Sequence, residues 1–210
     1  MTTGLDPEDL TARARIREAA LRHFGEVGFE RATIRAIAAS AGVSSGLVRH
    51  HFGSKQALRE ACDAHLAKTL HRLNEQALAD SRAGRTGDLL AARAAAVPYQ
   101  GYLARALVDG GAAQVFDELT GMTEQWLAIR DGDRTDVPVA ARGRAAVITA
   151  MSLAAIVLHE HVSRAAGVDM LGPDGDRLLA LTLIDLYSHP LLDPADAARA
   201  RAALVRESDH

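Results

Sequence analysis

The segment Ala32–Lys55 reads ATIRAIAASAGVSSGLVRHHFGSK, and it carries the clearest structural pattern of the chain. Its first third repeats apolar residues at i, i+3, i+4 and i+7, which is the stripe of an amphipathic helix. Thr33 precedes the stripe as a cap, and Gly42 follows it, where a bend with positive φ favours glycine. The spacing predicts two short helices joined by a tight turn, an arrangement that places its second helix in a groove of DNA.

The second short helix is predicted from Ser45 to about His51, with Ser44 as its cap. Val48 and Phe52 are spaced i, i+4 and anchor this helix to the core. The outward side keeps small or basic residues: Ser45, Gly46, Arg49 and, at its edge, His50. Small residues allow close approach to a groove, and arginine supplies positive charge. Helix pairs with a glycine turn also occur in proteins that never touch DNA, so periodicity alone leaves that alternative open.

The residues from Ala14 to about His65 closely resemble the DNA-binding domain of the TetR family of bacterial transcriptional regulators. The matching residues are Ile16, Ala19, Ala20, Phe24, Gly28, Phe29, Ala32–Arg35, Ile37, Ala38, Ala41–Ser44, Gly46, His51–Lys55 and Leu58. The resemblance covers about a quarter of the chain; the rest matches in length, helical character and position. It implies an all-α protein with a three-helix helix-turn-helix DNA-binding domain at residues 1–55 and a helical effector-binding and dimerisation domain at 56–210.

The resemblance also implies roles for residues of the helix-turn-helix. Arg35 and Ser45 are expected at base edges, with Gly46 allowing close approach and Leu47 meeting a thymine methyl. Phosphate contacts are expected from Thr33, Arg49, His50 and Lys55, and Ser44 completes the DNA-binding set. The family often has threonine at Leu47 and tyrosine at Arg49, so Arg49 can hold a phosphate or reach a base edge, and the operator sequence does not transfer from relatives.

Charge is distributed unevenly along the chain. The whole sequence has a net charge of −3, whereas Thr11–Lys55 holds eight Arg or Lys against three Glu, which is +5 and leaves −8 elsewhere. The N-terminal part up to Lys55, here called the head, is therefore basic, and the rest of the chain, here called the body, is acidic. This distribution is typical of a protein with one DNA-facing end.

Other features exclude several functions. Cys62 is the only cysteine, so neither an intramolecular disulfide nor a cysteine-based zinc site is expected, and its simplest role is a small buried filler. His159 and His161 lie about 200° apart on a helix, so they cannot share one metal ion, and no cofactor is expected.

The polar N-terminus and the short uncharged run Ala145–Leu158 predict a cytoplasmic protein without a membrane partner. No nucleophile–base constellation or phosphate loop indicates an enzyme.

A first helix is predicted from near Pro7 or Thr11 to Val27, and a long helix from Ser54 to about Arg82 joins the head to the body. Further helices are predicted over 88–97, 98–109, 112–131, 139–166, 173–188 and 194–207, with a polar loop at 131–138.

Aromatic residues are concentrated in the body. Four of the eight in the chain lie between positions 99 and 126: Tyr99, Tyr102, Phe116 and Trp126. They are candidates for lining an apolar ligand pocket that has a few polar groups, and Met122 and His159 are further candidates for the same lining. The alternative, that these residues fill the core, remains open for each of them.

Two stretches, Ala145–Leu158 and Leu178–Ile184, contain no charged residue. A helix that is apolar on all sides must pack against other helices on all sides. The resemblance implies that the helices near 139–166 and 173–188 pair with their copies in a homodimer; the alternative is a central core helix in a monomer. The sequence thus predicts a repressor that binds a palindromic operator of double-stranded DNA and is released by an unknown small, mainly apolar effector. Two competing hypotheses are that the protein is an enzyme and that it binds another protein through these helices.

Overall fold

The computed structural model describes residues 7–84, 97–132, 139–189 and 192–207. Within these ranges the regular structure is helical and contains no strand, as predicted. The helices are α1 (Pro7–Arg31), α2 (Ile34–Ala41), α3 (Ser45–Phe52), α4 (Lys55–Arg82), α5 (Gln100–Val108), α6 (Ala113–Asp131), α7 (Ala141–Val157), α8 (His159–Ala166), α9 (Pro173–Ser188) and α10 (Pro194–Glu207). A short 3₁₀ turn, Val97–Tyr99, precedes α5. The helix predicted over 88–97 and the loop over 131–138 fall largely outside the described residues.

Local sequence signals explain the helix ends of the N-terminal region. Gly28 interrupts α1 with a φ of 80°, where the sequence predicts that this helix ends. Thr33 and Ser54 have extended backbones and cap α2 and α4, respectively. Gly42 ends α2 in the left-handed conformation with a φ of 67°. The predicted helix-turn-helix is therefore confirmed.

The first three helices share one hydrophobic core with α4. Its fully buried side chains include Ile16 and Phe24 of α1, Ile37 of α2, Val48 of α3 and Leu58 of α4. The same core continues through Cys62 and Leu66 of α4 into the body, where it includes Tyr102, Leu103 and Val115. Helix α4 thus belongs to both parts, and the division at residue 55 stays a prediction.

Helix α5 crosses α1 at close range. A Cβ atom placed on Gly25 would lie 2.9 Å from the backbone nitrogen of Tyr102, so only glycine permits this approach. Helix α6 packs against α4 and α7. Between α4 and α6, the indole Nε1 of Trp126 donates a hydrogen bond to Asn74 Oδ1 over 2.9 Å.

The prediction of one continuous helix over 139–166 is wrong. Helices α7 and α8 meet at Leu158, whose φ of −94° and ψ of 22° depart from helical values, and the pair is bent by 69°. The sequence carries polar or charged residues at 159–161 directly after Leu158, and no residue of α8 is buried. No single helix among the described residues is long and apolar enough to cross a membrane; α7 and α8 reach that length only together, across the bend.

Candidate nucleic-acid interface and candidate ligand cavity

Helix α3 is fixed to the protein along one side and free along the other. Val48 and Phe52 are buried with 1% and 8% exposure, as the i, i+4 spacing predicts. At its N-terminus, Ser44 Oγ accepts a hydrogen bond of 3.1 Å from the backbone nitrogen of Leu47. The cap and the two apolar anchors set the direction in which α3 presents its outer face.

All nine residues predicted to bind DNA are exposed or half-buried. The exposed members are Thr33, Arg35, Ser44, Gly46, Arg49 and His50, and the half-buried members are Ser45, Leu47 and Lys55. Thr33 and Ser44 also have structural roles, since their hydroxyl oxygens accept backbone hydrogen bonds at the starts of α2 and α3. The contacts of this set with bases and phosphates stay predictions.

Lys55 makes contacts that the sequence did not suggest. Its Nζ donates to the carbonyl oxygens of Phe29, Glu30 and Ala32 at 2.9, 3.2 and 3.2 Å. It also lies 4.4 Å from the centroid of the Phe29 ring. Since an ammonium group has three donors, these carbonyls use all of them and clamp the start of α4 to the α1–α2 turn. The predicted phosphate contact would require Lys55 to release one carbonyl.

Two arginines of α1 donate hydrogen bonds to residues of α2 and α3. Arg13 Nη1 donates to the carbonyl oxygen of His51 over 3.1 Å, and its guanidinium carbon lies 4.7 Å from the centroid of the Phe52 ring. Arg22 Nη2 donates to Ser40 Oγ over 3.2 Å. A cation at the C-terminal end of α3 complements the helix dipole. Part of the basic charge of the head therefore orients α2 and α3.

The six residues predicted to bind a ligand do not form one cluster. Tyr102 is 3% exposed and its hydroxyl donates to Asp63 Oδ1 over 2.5 Å, where burial raises the pKa of both groups. Met122 is buried, and the Trp126 indole is hydrogen-bonded to Asn74 of α4. Phe116 lines a shallow apolar groove with α7, and His159 lines a separate cleft with Glu26 and Arg105.

An aliphatic cavity of about 190 Å³ lies in the body instead. Tyr99 is the member of the predicted set that lines it. The lining residues are Leu66, Leu70, Tyr99, Gln100, Leu103, Leu119, Ser152, Leu153, Ile156, Asp176, Leu179 and Leu183. They come from α4, the 3₁₀ turn, α5, α6, α7 and α9, so no periodicity within one segment could have revealed them. A cavity with apolar walls and few polar groups is the form that small-molecule sites usually take.

The cleft at His159 is larger and more polar. It has a volume of about 380 Å³ and lies between α1, α5 and α8, with Glu26, Arg105, Glu160 and His161 among its lining residues. No group of three His, Cys, Asp or Glu side chains within the described ranges is placed to hold a metal ion.

Comparison with known proteins adds independent information on the head. Residues 16–62 match the family model described as bacterial regulatory proteins, tetR family. A transcriptional regulatory protein of the helix-turn-helix type, RaaS of Mycobacterium tuberculosis, is 40% identical over 121 residues, which are 57% of this chain and 57% of RaaS. The regulator BetI of Burkholderia thailandensis is 38% identical over 58 residues, covering 28% of this chain and 30% of BetI. The chain thus matches just over half of the first relative and under a third of the second.

A solved structure has a similar fold. The crystal structure of a gamma-butyrolactone receptor (ArpA-like protein) superposes with a TM-score of 0.53 and 24% sequence identity, covering 73% of this chain and 82% of that one. At this identity the likeness concerns the fold alone. The described helices and the comparisons agree on a helix-turn-helix head followed by a helical body.

Proposed function

We propose that the chain, whose residues 16–62 match the family model of bacterial regulatory proteins of the tetR family, is a transcriptional repressor of that family. In this proposal it binds a palindromic operator as a homodimer, and a small, mainly apolar ligand releases it. The outer face of α3 is the observation that supports DNA binding: it exposes Gly46, Arg49 and His50 while Val48 and Phe52 anchor the helix. In this proposal the chain acts as a transcription factor rather than as an enzyme.

Base reading is assigned to the N-terminal part of α3 and to α2. Ser45 and Leu47 are half-buried at the start of α3, and Arg35 is exposed at the start of α2. These positions suit hydrogen bonding to base edges and contact with a thymine methyl. Arg49 and His50 lie at the other end of α3 and serve phosphates, which fix the register of the protein on the duplex.

Exposed apolar residues on α7 and α9 support the proposed homodimer. Val147 and Met151, spaced i, i+4, are 60% and 62% exposed, and Leu181 and Ile184, spaced i, i+3, are 56% and 50% exposed. Each pair forms an apolar face of its helix that a second copy would cover. Two-fold pairing suits a palindromic site, because each head then reads one half-site.

Sedimentation of the purified protein tests the dimer. We expect a dimer at nanomolar concentration that Leu181→Glu converts to a monomer, whereas Arg164→Glu on the exposed surface of α8 leaves it intact. A wild-type protein that stays monomeric at micromolar concentration would leave the α7 and α9 faces open to another protein and would favour the interaction-module hypothesis.

The ligand cavity connects to the head through two helices. Leu66 and Leu70 of α4 line the cavity, and α4 is clamped to the head by Lys55. Leu103 of α5 lines it too, and α5 crosses α1 at Gly25. A ligand that widens the cavity displaces these helices and changes the spacing of the heads, whose matched half-sites lie about 34–36 Å apart.

Selection of genomic DNA fragments by the purified protein at two salt concentrations tests the proposal. We expect one palindromic motif to be recovered at both concentrations, since contacts to base edges depend less on salt than contacts to phosphates. Recovery of fragments without a common sequence, and only at low salt, would contradict the proposed repressor.

A further inference from the structure

Two cations of α4 lie against the aromatic ring of the α1–α2 turn. Lys55 Nζ lies 4.4 Å from the centroid of the Phe29 ring, and the guanidinium carbon of Arg59 lies 4.9 Å from the same centroid. The two cations are spaced i, i+4 and therefore share one side of α4. Lys55 also donates to the backbone carbonyls of the turn, whereas Arg59 extends toward the body.

The guanidinium of Arg59 reaches the turn between α5 and α6, residues 109–112. A Cβ atom placed on Gly111 would overlap with Arg59 Nη2 and would lie 2.6 Å from Arg59 Cζ. The guanidinium thus occupies the position that a side chain at Gly111 would take. The turn itself is fixed by a hydrogen bond of 2.8 Å from the backbone nitrogen of Gly111 to the carbonyl oxygen of Ala106. Arg59 therefore contacts the head at Phe29 and the body at Gly111.

The contacts of the Arg59 guanidinium depend on fit and charge rather than on hydrogen bonds. Within the described residues, Arg59 Nη2 is buried without a hydrogen-bond partner, and an unpaired buried donor destabilises a protein. A cation over an aromatic face has the opposite effect, which is stronger away from water. Burial raises the pKa of Asp63, one turn further along α4, and the positive charge of Arg59 lowers it, so the two groups attract each other. Since these effects oppose one another, we expect removal of Arg59 to affect the α1–α2 turn more than the stability of the whole protein.

We propose that Arg59 is a positioning residue that holds the helix-turn-helix against the α5–α6 turn of the body, and that the missing side chain at Gly111 makes room for it. Displacement of the guanidinium frees the turn at Phe29, and with it the start of α2, to change orientation. A head with several orientations binds an operator less tightly, because only a fraction of the molecules is competent. The effect on operator binding rests on the proposed function, whereas the contact itself does not involve DNA.

Gly111→Ala displaces the guanidinium without altering Arg59. Gly111 does not have a positive φ, so alanine is not strained there, and the overlapping atom is the far end of a flexible side chain that can turn away. Gly101→Ala is the matched control, because its Cβ would meet no atom within 4 Å. Arg59→Ala and the double variant with both Arg59→Ala and Gly111→Ala complete a double-mutant cycle.

Hydrogen exchange measured by mass spectrometry tests the contact without DNA. In Arg59→Ala and in Gly111→Ala, we expect the backbone amides of residues 28–41 to exchange about two- to thirtyfold faster than in wild type, which is the range that corresponds to a cation–π contact. The double variant should match Arg59→Ala to within about twofold, because the added methyl group then meets no guanidinium. Gly101→Ala should exchange no faster than wild type at residues 28–41, and the amides of α6 should keep the wild-type rate in every variant.

Four results would overturn the proposal. They are unchanged exchange at residues 28–41 in both single variants, additive effects in the double variant, an equal acceleration in α6, and unchanged operator affinity in both single variants. Should Arg59→Ala not fold, the comparison of Gly111→Ala with Gly101→Ala decides alone. Operator affinity, measured by fluorescence anisotropy, should fall in both single variants and stay unchanged in Gly101→Ala. A wild-type protein that recognises no operator would refute the proposed function and leave the exchange result unaffected.

Discussion

Replacing Gly25 by alanine tests the close crossing of α1 and α5, through which the body contacts the head. The added Cβ would lie 2.9 Å from the backbone nitrogen of Tyr102 and 3.1 Å from the carbonyl carbon of Gly101. Real Cβ atoms essentially never approach other atoms below 3.0 Å, and backbone atoms cannot rotate away. The two helices must therefore separate to accommodate the methyl group.

The magnitude follows from two opposing effects. Overpacking a tight contact costs about 1–3 kcal/mol, whereas alanine in a helix interior gains about 1 kcal/mol over glycine. Gly101→Ala is the matched control, because its Cβ would meet no atom within 4 Å and it lies on the opposite side of the same crossing. The control should be more stable than wild type by about 0.5–1 kcal/mol, and Gly25→Ala should be less stable than the control by about 1–3 kcal/mol.

Urea unfolding of the three proteins at one temperature measures both differences. In thermal unfolding, a protein of this length shifts its Tm by about 2–4 °C for each kcal/mol. Operator affinity should also change in Gly25→Ala, although no DNA-facing residue is altered. The reasoning is refuted if Gly25→Ala is as stable as Gly101→Ala, since the helices would then not be in close contact at this point.

Three further predictions follow from the head and its junction with the body. Arg49→Ala should reduce by about 1 the magnitude of the negative slope of log K for DNA binding against log salt concentration, measured by fluorescence anisotropy. Lys68→Ala in the body should leave this slope unchanged, and equal slopes for the two variants would contradict a phosphate contact of Arg49. Ser44→Ala should cost about 1 kcal/mol of unfolding free energy through loss of the α3 cap, with Ser45→Ala near neutral, and equal effects would refute the role of the cap. Burial raises the pKa of the Cys62 thiol from 9.0 to about 12, so the folded protein keeps a proton that the unfolded chain loses. Stability should therefore fall by about 1.4 kcal/mol per pH unit between these two pKa values relative to Cys62→Ala, and identical pH profiles would contradict this.

The head could be predicted from sequence because its signals are local. The caps at Thr33, Ser44 and Ser54 and the bend at Gly42 are each encoded within a few residues, and the structure confirms them. The i, i+4 spacing of apolar residues also identified the buried side of α3, and hence which side chains face outward. Short-range periodicity and capping are sufficient for such elements.

The body was less predictable because its features depend on contacts between distant segments. The bend at Leu158 has neither glycine nor proline to mark it. The concentration of aromatic residues suggested a pocket, yet Tyr102 joins the core and Trp126 bonds to α4, whereas the cavity is lined mainly by leucines from five helices. The clamp formed by Lys55 likewise depends on a turn more than twenty residues away in the chain.

The most direct test of the central claim, that the outer face of α3 reads a DNA sequence, is a competition measurement by fluorescence anisotropy. A labelled duplex that contains the selected palindrome is displaced either by the same unlabelled duplex or by one with its half-sites scrambled, at physiological salt. The account predicts that the scrambled duplex competes at least about 10³-fold less well, which is the lower limit for specific recognition, and that Ser45→Glu at the start of α3 abolishes the difference. Equal competition by the two duplexes would show that the head binds DNA through charge alone, and it would contradict the account.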